Sequence, residues 1–212
     1  MELSIFIFRG KVHFRMSVIF MDKIVIIGSP GSGKSTLARK LGRKLQIQVV
    51  HLDRLFWYPD WKEKPRDTRI GILKERVSKR QWIIEGTYLD SSEPRLEAAD
   101  TIIFLDIPFY VCLQRIIKQH FNCQGNYRHD LKEGCKDELN LFRILKVLGF
   151  PFRGRRTLKQ KLRNYKSKQI FTLHSSNEVE YFLAQLQQGV YDKRSLQCHV
   201  QPHLQNAGHI AI

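Results

Sequence analysis

The most specific chemistry in the sequence lies in one short run, Gly28-Ser29-Pro30-Gly31-Ser32-Gly33-Lys34-Ser35-Thr36. A glycine, four residues and then Gly-Lys-Ser is the spacing of a loop that wraps phosphate oxygens in backbone N–H groups. Gly31 and Gly33 let the backbone come close to the anion in conformations closed to other residues. The amides of the loop and of the helix expected after it then converge on negative oxygens. Lys34 is expected to bridge the β- and γ-phosphates of a nucleotide and Ser35 to ligate a divalent cation, so ATP and Mg²⁺ are the expected ligands.

Phosphoryl transfer also needs carboxylates that hold the metal shell or orient an acceptor. Asp53 ends the run His51-Leu52-Asp53, and Glu85 ends Ile83-Ile84-Glu85, followed by Gly86. At the carboxyl ends of strands both would face the crevice where α/β proteins bind ligands, and there either could hold Mg²⁺ or orient a hydroxyl. A solvated carboxylate or a helix cap is the alternative for each. Asp106, before Pro108, suits a turn or cap equally well. Arginines bind the transferring group bidentately, and Arg115, Arg153, Arg155 and Arg156 are the candidates. Arg115 is expected to serve phosphate, whereas each distal arginine could equally line a solvated face.

These residues need a scaffold, and the hydrophobic pattern predicts one. Short apolar runs alternate with longer stretches of helical spacing, which indicates an α/β sheet. Ile24–Ile27, Gln48–Leu52, Trp82–Ile84, Thr101–Asp106 and Gln169–Leu173 read as five strands, nearly continuous in apolar character as parallel strands covered on both faces should be. Helices are predicted over Thr68–Lys79, Pro108–His120, Lys136–Leu148 and Thr157–Ser167. About sixty residues separate the fourth and fifth strands, more than a crossover needs, and are expected to form a basic helical lid over about 115–168. The kinase-like domain is expected to span 22–188. Residues 1–21 read as an extension or a misassigned start, and 189–212 as a flexible tail.

Composition narrows the class. The 212 residues are 42% apolar, enough for a packed core. No apolar run approaches the roughly 20 residues of a membrane span, and none matches a secretory signal, so a cytoplasmic location is expected. The cysteines at 112, 123, 135 and 198 are too scattered for a disulfide framework and are expected to be thiols. His120, Cys123, His129 and Cys135 lack the tight pairing of a zinc site. The net charge is +16, and residues 151–170 hold eight basic side chains and no acidic one. Such a field suits a polyphosphate or nucleic acid. DNA binding switched by ATP, with weak ATPase activity, is therefore a second class of expectation, although no nucleic-acid-binding motif accompanies the charge.

Four segments carry a resemblance: IVIIGSPGSGKSTLARKLGRKL, HLDRLFWYPDWKE, WIIEGTY and EGCKDELNLFRILKVLGFP. Together they resemble the bacterial DNA topology modulation proteins, which are similar to adenylate kinase, over roughly Asp22 to Leu186. The resemblance implies a nucleoside-monophosphate-kinase-like P-loop fold with a five-stranded parallel sheet of order 2-3-1-4-5, ATP and Mg²⁺ as ligands, and a kinase activity on a small acceptor. Gly28, Gly31, Gly33, Lys34, Ser35 and Thr36 fall on the kinase loop, Glu85-Gly86 on an Asp-Gly pair, and Arg115 on an arginine of the ATP side. Thr87-Tyr88 stands where adenylate kinases carry Phe-Pro-Arg, so the arginine that grips an AMP phosphate is missing. Gln119 replaces a second lid arginine, and Lys136 replaces a proline. Trp57, Tyr58 and Trp61 fall in the segment where such kinases bind the acceptor; stacking on a base or sugar and plain loop packing are both open there.

Overall fold

The computed structural model describes residues 2–8, 11–17, 21–58, 62–122 and 147–188. Two compact units divide the chain. One comprises Met1–Phe20 with Ser176–Ile212, the other Met21–Ser175. In the first unit, β1 (Glu2–Phe8) and β2 (Lys11–Ser17), within the expected N-terminal extension, pair antiparallel. Helix α7 (Ser176–Gln188) falls in the same unit. The expected tail, 189–212, lies outside the described residues.

The second unit is built on β3 (Lys23–Gly28), β4 (Val49–His51), β5 (Trp82–Glu85), β6 (Thr101–Leu105) and β7 (Gln169–Leu173). They form one parallel sheet in the order β4-β5-β3-β6-β7. Numbered from the strand that feeds the glycine-rich loop, this is the expected 2-3-1-4-5. Ile24, Val25, Ile26 and Ile27 are all buried, as a central strand covered on both faces requires. Between the strands run α1 (Lys34–Leu45), α2 (Leu52–Phe56), α3 (Arg66–Val77), α4 (Glu93–Ala98), α5 (Phe109–Asn122) and α6 (Arg155–Leu162). Among the described residues no helix is long and apolar enough to cross a membrane.

Within the expected lid, Leu158 and Leu162 of α6 are buried in the cluster that holds Val25, Ile27, Ile84, Ile102 and Phe104, so this helix packs against the sheet. Its basic residues are correspondingly tied down. Arg155 Nε donates to Asp106 Oδ1 at 2.6 Å and its Nη2 to Oδ2 at 2.9 Å. Lys159 Nζ lies 3.0 Å from the same carboxylate. Lys161 donates to the Leu89 carbonyl at 2.7 Å and pairs with Glu93, and Lys168 donates to the carbonyls of Glu97 and Ala99. The predicted Lys136–Leu148 helix lies mostly outside the described residues, as do Cys123, His129 and Cys135.

Asp106 is thus an ion-pair centre rather than a turn cap. Burial opposes its charge, but the hydrogen bonds from Arg155 and Lys159 outweigh it and hold the carboxyl below its ordinary range. A carboxylate whose pKa is lower in the folded chain stabilises the fold above the unfolded value, about 3.9, and loses that contribution as pH falls through the folded value. The melting temperature should therefore fall below about pH 4, more steeply in the native chain than in Asp106→Asn. Equal slopes in a pH series of thermal melts would contradict the pairing.

Candidate active site

Sheet register brings the site together. Ile26 of β3 pairs with Glu85 of β5, and Glu85 in turn with His51 of β4, so the last residues of β4 and β5 share one level two residues before the end of β3. The loop starts one residue beyond Ile27, next to Leu105 at the end of β6.

Gly31 explains why the loop sits so closely on α5. Its φ is +75°, and a Cβ there would lie 2.5 Å from the Cys112 carbonyl oxygen. Gly31→Ala meets both the backbone penalty and the clash, and should destabilise the fold by about 1–3 kcal/mol. Denaturant unfolding of the variant measures this, and native stability would show that the contact is slack.

The loop is organised around its own polar groups. Lys34 Nζ donates to the Ser29 carbonyl at 2.9 Å. Arg115 Nη1 donates to the carbonyls of Gly31 at 3.5 Å and Ser32 at 3.1 Å, so the arginine braces the loop from α5. Thr87 clamps the other side, accepting from Gly28 N–H at 3.3 Å and donating to the Gly28 carbonyl. Ser32 Oγ is buried with no hydrogen-bond partner among the described residues. The first-turn amides of α1 have no intrahelical acceptor. An orphaned hydroxyl and the first-turn amides of a helix around a cradle of glycines fit a bound phosphate chain.

Ser35 and Glu85, two of the expected metal ligands, lie in contact. Ser35 Oγ donates to Glu85 Oε1 at 3.1 Å, and His51 Nδ1 lies 2.8 Å from the same oxygen. Glu85 is only 2% exposed, and a buried carboxylate needs such partners. No cluster of three or more His, Cys, Asp or Glu able to hold a metal occurs among the described residues. Mg²⁺ does not require one, since it keeps waters and phosphate oxygens and takes one or two protein oxygens. A hydroxyl and a carboxylate in contact beside the phosphate cradle fit that cation.

Asp53 is placed differently from the expectation. The second strand ends at His51, and Asp53 lies in the first turn of α2. There its Oδ1 accepts from Tyr88 OH at 2.5 Å, while Trp57 Nε1 donates to the same phenol oxygen at 2.7 Å. Burial, then the charge of Asp53, push the Tyr88 phenol well above its usual pKa. It stays protonated and keeps donating. Trp57 therefore anchors Tyr88 through its indole N–H, and Trp61 lies outside the described residues. Gly86, at φ +136°, lets the chain pass Leu52, whose Cβ a side chain would meet at 2.9 Å.

Two buried arginines escaped the sequence reading. Arg69 of α3 pairs with Glu63 and Asp90, and Arg95 of α4 donates to the Thr87 carbonyl behind the Thr87–Tyr88 turn. Burial pulls Arg95 down to about 10. Nothing local in the sequence distinguishes these arginines from surface ones, because their role depends on burial. Arg153 and Arg156 are exposed and Arg155 is committed to Asp106.

A glycine-rich loop with the P-loop spacing after the central strand of a 2-3-1-4-5 parallel sheet defines a P-loop α/β fold. Two shikimate kinases are structural neighbours. The enzyme from Bacteroides thetaiotaomicron is 19% identical, with 80% of this chain and 98% of that one covered at a TM-score of 0.47. The enzyme from Acinetobacter baumannii, in complex with shikimate, is 18% identical, with 87% and 96% covered at a TM-score of 0.49. No family model matches the chain, and no curated protein does. The strand order and the loop, not these likenesses, define the fold class.

Proposed function

We propose that the chain is an ATP- and Mg²⁺-dependent phosphotransferase acting on a small acceptor, a nucleoside or nucleotide. The observation that carries this reading is the contact of Ser35 with Glu85 at the mouth of the loop, on an oxygen shared with His51, two residues before Asp53. Mg²⁺, held by Ser35 and Glu85, would neutralise charge on the phosphate oxygens. The Lys34 ammonium stabilises the charge that spreads over the transferring group. Arg115 keeps the loop carbonyls turned toward α5, leaving the amides for phosphate. Asp53, fixed by Tyr88, orients the acceptor hydroxyl and takes its proton. A bond forms from that oxygen to the γ-phosphorus, the bond to the bridging oxygen breaks, and ADP leaves with the electron pair. Arg153 and Arg156, both exposed, remain candidates to bind the phosphoryl group.

The rival reading, an ATP-switched DNA-binding protein, has less support. Arg155, Lys159, Lys161 and Lys168, half of the basic run, are spent on carboxylates and carbonyls within the fold. ADP release from Mg-ATP, measured against nucleosides, nucleotides and other small hydroxyl compounds with duplex DNA in parallel, separates the two. Stimulation by one small acceptor is expected; stimulation by DNA alone would favour the rival.

A further inference from the structure

The charges around Asp53 constrain the acceptor further. Arg69 is 6% exposed, and both terminal nitrogens of its guanidinium are engaged by carboxylates, while its Nε has no hydrogen-bond partner among the described residues. Nη1 lies 2.5 Å from Glu63 Oε1 and 3.3 Å from Asp90 Oδ1, Nη2 pairs with Asp90 Oδ2, and the rings of Phe56 and Tyr88 flank it at 5.7 and 5.8 Å. Arg95 is fully buried and its Nη2 is engaged by the Thr87 carbonyl, so it lies behind the Thr87–Tyr88 backbone rather than on the surface. Asp53, Glu63, Glu85 and Asp90 thus outnumber the two buried guanidiniums. At the rim, Arg66 is engaged with the Asp90 carbonyl at 2.7 Å and Lys64 lies over the Tyr58 ring. Arg54, exposed beside Asp53 in α2, is the nearest cation in sequence that an anionic acceptor could use.

A phosphomonoester or carboxylate entering beside Asp53 meets like charge and a guanidinium that two carboxylates have neutralised, and like-charge contacts select strongly against a partner. We propose that the acceptor side takes an uncharged hydroxyl compound of the nucleoside kind and excludes its phosphorylated counterpart. This rests on the phosphotransferase reading of Asp53.

The test is calorimetric, on the intact chain with Mg²⁺ and a non-hydrolysable ATP analogue. Nucleosides and their 5′-monophosphates are titrated in turn. The proposal expects nucleosides to bind at least about tenfold more tightly, and Asp90→Asn, which removes one of the two carboxylates on Arg69, to narrow that ratio. Glu63→Gln should narrow it in the same direction, which guards against a folding defect in either variant. Monophosphates that bind as tightly as nucleosides overturn the proposal, all the more if Arg54→Ala abolishes that binding. Binding of neither class while the analogue still binds also overturns it. Loss of analogue binding points instead to failure of the phosphotransferase reading, and the proposal falls with it.

Discussion

Lys34→Ala should reduce acceptor-dependent ADP formation by about 10³-fold while leaving the thermal melt unchanged. The magnitude is that of removing one preorganised charge aimed at a developing oxyanion. Stability is spared because the Lys34 side chain is only partly buried and donates to the Ser29 carbonyl at the open face of the loop. The core beneath, Val25, Ile27 and Phe104, does not depend on it. Unchanged ADP formation in this variant would remove the loop from the chemistry.

Asp53→Asn has the second largest expected effect and separates the two carboxylates of the site. General-base assistance is worth about 10²–10⁴-fold, so transfer to the acceptor should fall within that range. ATP affinity should hold, because the carboxylate that Ser35 touches is Glu85. The asparagine keeps the shape and can still accept from Tyr88, which makes a folding defect a poor explanation for lost activity. If the affinity for Mg-ATP collapses instead, Asp53 serves the metal rather than the acceptor.

What the sequence made legible follows from the range over which each feature is encoded. The loop from Gly28 to Thr36 is local, so spacing alone identifies it, and the buried strand Ile24–Ile27 that feeds it announces itself by continuous apolar character. The sheet order follows from the resemblance and holds in the structure. Asp53 was located in sequence but misplaced in structure, because β4 stops at His51 and Asp53 already belongs to the five-residue helix that starts at Leu52. The basic run misled more. Arg155 finds its partner Asp106 at a separation of 49 residues, and no local pattern encodes such a pair. Tyr88, Thr87, Arg69 and Arg95 were illegible as site residues for the same reason: burial and distant partners give them their roles.

The central claim is that a phosphoryl group leaves ATP for a small hydroxyl acceptor. The most direct measurement is the mass of each acceptor in a nucleoside and nucleotide panel after incubation with Mg-ATP and the protein, with Lys34→Ala alongside. The account predicts one acceptor class heavier by a single phosphoryl unit with the native chain and unmodified with the variant. Acceptors that all stay unmodified while ATP is split to ADP and free phosphate would contradict it.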